Sequence, residues 1–288
     1  MPALLILIIA FTSLAEGVFI KKYNSKHTAG GFIFTSLVCF FSMATFVVSD
    51  TDGVEFPPQI WIYGIVAGVL YCSASFLTYV ALGCGSFAMS MLILSYSLVF
   101  SIGYGLFFCN EPTTVFTYPG LALIMLSLYL TRAKNQGENS GKSFSMKWLI
   151  CIVISFVGCG MFSVVSRMQQ IALNNACNNE FMIIALGFSA LTLLTIGLIK
   201  DGKDLFCILR HGSLFALGAG CSNGITNALL MLIYTMVPIS IVAPVTSGVK
   251  VVISFIISIV LFKERFAKRQ VVGVALGAVA LVLLNLKI

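Results

Sequence analysis

Ten stretches of about 16–24 mostly apolar residues run through this chain with short polar breaks between them, each long enough to cross the hydrocarbon layer as a helix. They cover residues 3–20, 32–48, 60–82, 87–108, 115–130, 148–165, 181–199, 214–236, 239–262 and 271–286. Backbone polar groups in lipid are satisfied only by helices or by closed barrels. The runs are continuous rather than alternating, which excludes the barrel. Composition agrees: 59% of the 288 residues are hydrophobic and 9% are charged, and the mean hydropathy is +1.04. A soluble core of this size cannot hide that much apolar surface. A soluble enzyme, a nucleic-acid binder and a disordered chain are excluded, and an all-α membrane protein of ten spans is expected.

The first run contains Ser13-Leu14-Ala15, which resembles the small-residue site of a signal-peptide cleavage. No basic residue precedes it and Glu16 follows at once, so it reads as an uncleaved helix. Lys and Arg gather in the loops after spans 1, 5, 7 and 9, from Lys21, Lys22 and Lys26 through Arg132, Lys134, Lys142 and Lys147 to Lys200, Lys203 and Arg210, then Lys263, Arg265, Lys268 and Arg269. The other face has only Arg167 and Lys287, and the loop after span 2 carries Asp50, Asp52 and Glu55. The positive-inside rule then sets both termini outside the cytoplasm.

The longest polar stretch, RAKNQGENSGKSFSMK over residues 132–147, has the Gly/Ser/Asn content of a flexible linker. It divides the chain into residues 1–131 and 148–288, five spans each. The two halves are related. Glu264 stands 153 positions after Glu111, and the same shift carries Gly120 to Gly273, Ala122 to Ala275, Leu123 to Leu276, Leu128 to Leu281, Val99 to Val252 and Ser101 to Ser254. An odd number of spans per half forces the second copy to enter the membrane upside down. That inverted repeat is an architecture of secondary transporters, whose two halves exchange conformations around a midplane site.

Several pieces resemble a known family. The Leu261-Phe262-Lys263-Glu264-Arg265 turn, the Gln270 to Gly273 start of the last span, and Pro238 and Pro244 before span 9 are similar to EamA repeats of the drug/metabolite transporter superfamily. The first span, with Leu14-Ala15-Glu16, also resembles the small multidrug resistance branch, as do Tyr71-Cys72 and Ser247-Gly248-Val249. That resemblance implies a membrane carboxylate at Glu16 that binds protons and cationic substrate. The pattern departs at Lys250, at Thr246 where a tryptophan is usual, and in span 6, which has no matching carboxylate.

Two charges fall inside spans, Glu16 and Lys250. A charge at a helix centre costs about 2.5–3.5 kcal/mol on insertion scales, so such residues face a cavity or a partner. Lys250 is the candidate contact for an anionic substrate group and Glu16 the candidate proton-coupling group; an ion pair between them is the structural alternative. Polar stripes accompany them: Ser247, Lys250, Ser254 and Ser258 on span 9, Ser97, Ser101 and Tyr104 on span 4, Asn223, Asn227 and Tyr234 on span 8, and Tyr71, Ser75 and Thr78 on span 3. Lys250, Tyr71, Asn223, Asn227, Ser247 and Ser97 are the candidate substrate-binding set. Interhelical polar contacts are the alternative use of the same residues.

The nine cysteines lie mostly in apolar runs and form no CxxC pair, and His27 and His211 sit in polar loops. No metal site, cofactor or enzyme is expected, and no Walker A or GxSxG signature occurs. The expected protein is a secondary transporter that moves a small polar or amphipathic metabolite by alternating access, with proton-coupled export as the family-level form. A lipid-linked carrier flippase, and a receptor or assembly subunit without transport, are the alternatives. The partners expected are a small-molecule substrate and membrane lipid, with no nucleic acid, and a monomer or homodimer suffices. The expected location is a cytoplasmic membrane of bacterial type, as a multi-pass protein.

Overall fold

The computed structural model describes residues 2–26, 30–49, 56–97, single residues and pairs between 99 and 130, and residues 145–174, 176–202, 205–236, 239–264 and 268–283. Nine helices form among them: α1 (Pro2–Lys26), α2 (Gly31–Ser49), α3 (Pro58–Cys84), α4 (Phe87–Ser95), α5 (Met146–Ala172), α6 (Asn178–Lys200), α7 (Leu205–Met236), α8 (Ile239–Phe262) and α9 (Lys268–Leu283). Six of these, α1, α2, α3, α5, α6 and α7, contain segments long and apolar enough to cross a membrane, and Thr246–Phe262 in α8 is a shorter apolar helix. Much of the fifth expected span and most of the linker lie outside the described residues, as do Glu111 and Pro238.

Several boundaries differ from the apolar windows, most of them by running past the window. α1 continues to Lys26 rather than stopping at residue 20, and α7 starts at Leu205, nine residues before its window. Met146 and Lys147, at the end of the expected linker, already belong to α5. Hydropathy marks the hydrocarbon slab, whereas a helix continues into the headgroup region where Lys, Arg and His are tolerated. α4 departs the other way and ends at Ser95, inside its window. The Ser95 hydroxyl bonds back to Met91 O, and the N–H groups of Tyr96 and Ser97 bond three residues back, to Ile93 O and Leu94 O. Such bonds tighten the turn and interrupt the α-helical ladder. The Tyr96 hydroxyl meets Ser127 Oγ at 2.6 Å, and Ser127 donates to Gly273 O of α9.

α3 packs on α5 and α6, α2 on α6 and α7, α1 on α7 and α8, and α8 on α4 and α9. Lipid gives helices no hydrophobic reason to associate, so close approach and interhelical hydrogen bonds must hold them. Serines supply this repeatedly by donating to a neighbouring helix's backbone: Ser155 to Ala74 O, Ser189 to Gly68 O, Ser36 to Ala190 O and Ser42 to Gly220 O. The outward side chains are large and apolar. Val48, Ile199 and Leu214 are among the most exposed, as residues facing acyl chains would be.

Candidate functional site

α1 and α7 run antiparallel and meet along a ladder. Thr226 donates to Thr12 Oγ1 at 2.7 Å, Asn223 reaches Glu16, Phe19 covers Gly218 and Tyr23 covers Gly212. Glu16 stands fourteen residues from one end of α1 and ten from the other, roughly 21 and 15 Å of helical rise. Glu16 lies inside the apolar window of α1, and the extension to Lys26 adds the Lys-bearing end of the helix beyond that window. Tyr71 is the middle residue of α3, and Lys250 is at the middle of α8.

Asn223 is the hub of this level. An ionised carboxylate only accepts hydrogen bonds, so the amide must turn its nitrogen to Glu16; Nδ2 lies 3.0 Å from Oε2. That leaves Oδ1 as an acceptor for three donors: the Ser42 hydroxyl at 2.6 Å, the Tyr71 hydroxyl at 3.0 Å and Asn227 Nδ2 at 3.1 Å. One buried amide therefore joins α1, α2, α3 and α7. The junction needs α7 to lie close against α2. A Cβ on Gly220 would come within 2.6 Å of Val38 O, and one on Gly224 within 1.8 Å of Thr45 Oγ1. Only glycine permits that approach.

Lys250 acts electrostatically on Glu16 from α8, and Cys159 of α5 interacts with both charges. Among the described residues no carboxylate is within ion-pair distance of the Lys250 amine, and Glu16 accepts one hydrogen bond, that of Asn223. The two central charges thus share a neighbourhood and leave most of their hydrogen-bonding capacity unused. Tyr71 packs its ring on Phe162, 5.3 Å between centroids.

Four of the residues singled out in the sequence, Glu16, Asn223, Asn227 and Tyr71, form one hydrogen-bonded group, and Lys250 joins it through charge. Ser247 lies one turn from Lys250 on α8 and makes no hydrogen bond to the group among the described residues. Ser97 sits at the turn that ends α4, likewise outside it. Sequence reading passed over Ser42, Thr12 and Thr226. Thr12 was findable, because it precedes Glu16 by four residues and shares its helix face. Ser42 carries no such signal.

A second polar group lies toward the Lys-rich end. Glu264, in the turn after α8, pairs with Lys21 of α1 and accepts from Ser258 Oγ, from Ser86 Oγ at 2.6 Å and from the Phe87 N–H at 2.9 Å. Burial alone pushes the Glu264 carboxyl up, but Lys21 and the hydrogen bonds from Lys21, Ser258 and Ser86 outweigh it and hold it below its ordinary value.

No curated protein matches this sequence. Twenty-eight chains of solved structures do match in fold. One of them, described only as a crystal structure of a protein, aligns over 99% of this chain and 98% of its own at a TM-score of 0.63 and 14% identity. At that identity the likeness concerns the fold alone. The resemblance to EamA repeats and to the small multidrug resistance branch is finer than these matches carry. A family model matches nearly the whole chain, from residue 4 to residue 286, and on that coverage the chain belongs to the family described as Sugar transport protein.

Proposed function

We propose that the chain is a secondary transporter of ten spans that carries a sugar, or a similar polyhydroxylated solute, across a cytoplasmic membrane by alternating access. The observation that carries this reading is the Asn223 hub, level with the middle of α3, where among the described residues a carboxylate and a lysine keep unspent hydrogen-bonding capacity beside an amide, a phenol and two hydroxyls. Hydroxyl-rich solutes are both donors and acceptors, so they need both kinds of partner in one place. Glu16 accepts from solute hydroxyls and is the proton-coupling group. Lys250 donates to a solute hydroxyl or to an acidic group the solute carries. Tyr71, Asn223 and Asn227 orient it, and Ser247 and Ser97 line the approaches on α8 and beyond α4.

The two-halves reading has support in the packing. Exchanging α1, α2, α3 and α4 for α5, α6, α7 and α8 turns α3 on α5 into α7 on α1, α2 on α7 into α6 on α3, and α1 on α8 into α5 on α4, all of which are packed pairs. Such exchange is what two inverted EamA-like halves, residues 1–131 and 148–288, require.

The test is a thermal-shift panel of neutral sugars, sugar acids and sugar phosphates on the wild type, Glu16→Gln and Lys250→Ala, followed by uptake of any hit into proteoliposomes with and without a pH gradient. A hit raises the melting temperature of the wild type by mass action. Its effect is lost in Lys250→Ala, and the gradient dependence of uptake is lost in Glu16→Gln. A panel with no hit, or a hit indifferent to both substitutions, overturns the assignment. In that case lipid-linked sugars are the next ligands, because a flippase on the same fold is the remaining reading.

A further inference from the structure

We propose that Lys21 and Glu264 form a latch that closes the Lys-rich face of the transport path, and that this structure is the state in which that face is shut. The inference rests on the transport reading above. By the charge bias this is the cytoplasmic face.

The latch is built by the end of α8. Lys263 takes a left-handed backbone conformation, with φ of 51°, and the Glu264 N–H returns to Ser258 O at 3.1 Å, which folds the carboxylate back toward the bundle. Its oxygens then meet the first residues of α4, through the Ser86 hydroxyl and the Phe87 N–H, and the Ser258 hydroxyl. Those three donors already cap α4 and fix Glu264. Lys21 is additional. It brings in α1, the helix that carries Glu16, and its amine also donates to Gly85 O at 3.2 Å and lies 4.6 Å from the centre of the Phe262 ring. A lysine five residues from the site, roughly 7–8 Å along the helix, is drawn from the headgroup region into a position only 13% exposed. An end-of-helix lysine needed only for topology would stay hydrated.

The layer beneath is closed as well. From Glu16 toward this face, the same side of α1 presents Ile20 and Tyr23, both buried. Tyr23 stacks on Phe34 of α2 at 4.0 Å and contacts the rings of Tyr79 of α3 and Phe215 of α7. A solute at Glu16 cannot leave on this side unless the Lys-rich end of α1 moves away from α4 and α8, and Lys21 to Glu264 is the polar tie across that seam.

Cys159 of α5 reports on the path, because it is a native thiol within electrostatic range of both Glu16 and Lys250. The experiment measures its alkylation by a membrane-impermeant maleimide in inside-out and right-side-out vesicles, read by peptide mass spectrometry. The proteins are the wild type, Lys21→Met and Lys21→Arg, each checked for folding by its melting curve. With Lys21→Met the rate from the Lys-rich face rises roughly tenfold, as expected when one state of a pair loses a half-buried ion pair, and Lys21→Arg stays near the wild type. Lys21→Gln, which keeps a donor and drops the charge, moves in the same direction as Lys21→Met and replaces it if that variant does not fold. Rates from both faces unchanged in the uncharged variant overturn the latch. Labelling needs no solute, so a failed ligand panel and a failed latch are separate results.

Discussion

Asn223→Ala removes the residue on which four helices meet, and the structure allows its cost to be worked out. Three interhelical hydrogen bonds are lost, to Glu16, Ser42 and Tyr71, together with the contact from Asn227 on the same helix. Interhelical bonds in membranes average about 0.6 kcal/mol, with a maximum near 1.7 kcal/mol. The bond to the Glu16 carboxylate belongs at the upper end, because bonds to charged groups are worth about 1.5–3 kcal/mol. The total is about 2–3 kcal/mol, or roughly 3–5 °C of melting temperature for a chain of this size. Among the described residues Asn227→Ala removes only bonds within α7, to Asn223 O and Oδ1, and costs about 0.5 kcal/mol. Melting curves in detergent for both variants, and uptake at equal amounts of folded protein, make the comparison. Asn223→Ala melts well below Asn227→Ala and loses uptake even where it is folded. Equal melting temperatures, or uptake retained by folded Asn223→Ala, would refute the claim that Asn223 organises the site.

Two further outcomes follow from the geometry. Gly224→Ala places a Cβ 1.8 Å from Thr45 Oγ1 and 2.8 Å from Thr45 Cβ, so it lowers stability by about 1–3 kcal/mol of overpacking; Thr45→Ala removes the closer clash and restores part of the melting temperature, and no rescue at all would separate Gly224 from the α2 contact. Glu264 is held below its ordinary carboxylate value of 4.5 in the folded protein, so the unfolded chain takes up its proton first as pH falls. Its stabilisation is present above that value and drains away below it. The melting temperature of the wild type therefore falls more steeply than that of Glu264→Gln on acidification below pH 4.5, and parallel curves would remove Glu264 from the acid response.

Six of the expected spans were legible because lipid leaves so few solutions: an apolar run of the right length has to be a helix. The ends were not, because helix propensity does not stop where hydropathy does: α1 runs on past its apolar window through Lys21, Lys22 and Lys26. The members of the central group were legible one by one, as polar residues in apolar surroundings. Their grouping was not, since it depends on the antiparallel register of α1 and α7 and on the closeness of α7 to α2 that Gly220 and Gly224 allow. Ser97 shows the converse. Its spacing matched Ser101 and Tyr104 on an unbroken helix, but α4 ends at Ser95 and the periodicity no longer applies to it.

The most instructive difference concerns which charges pair. From sequence, Glu16 and Lys250 are natural partners, the two charges stranded inside spans, while Lys21 counts only toward topology and Glu264 only toward the repeat. In the fold the close ion pair is Lys21 with Glu264, and it carries the richest set of donors, with two hydroxyls and a backbone N–H besides the lysine. The central carboxylate keeps one donor and the central lysine no carboxylate at bonding distance among the described residues. Satisfied charge at the rim and unsatisfied charge at the centre is a poor arrangement for stability alone, since desolvated groups without partners cost several kcal/mol. It suits a protein that must bind something at its centre and let it go: the rim pair can be broken to open a face, and the centre holds capacity that a solute completes.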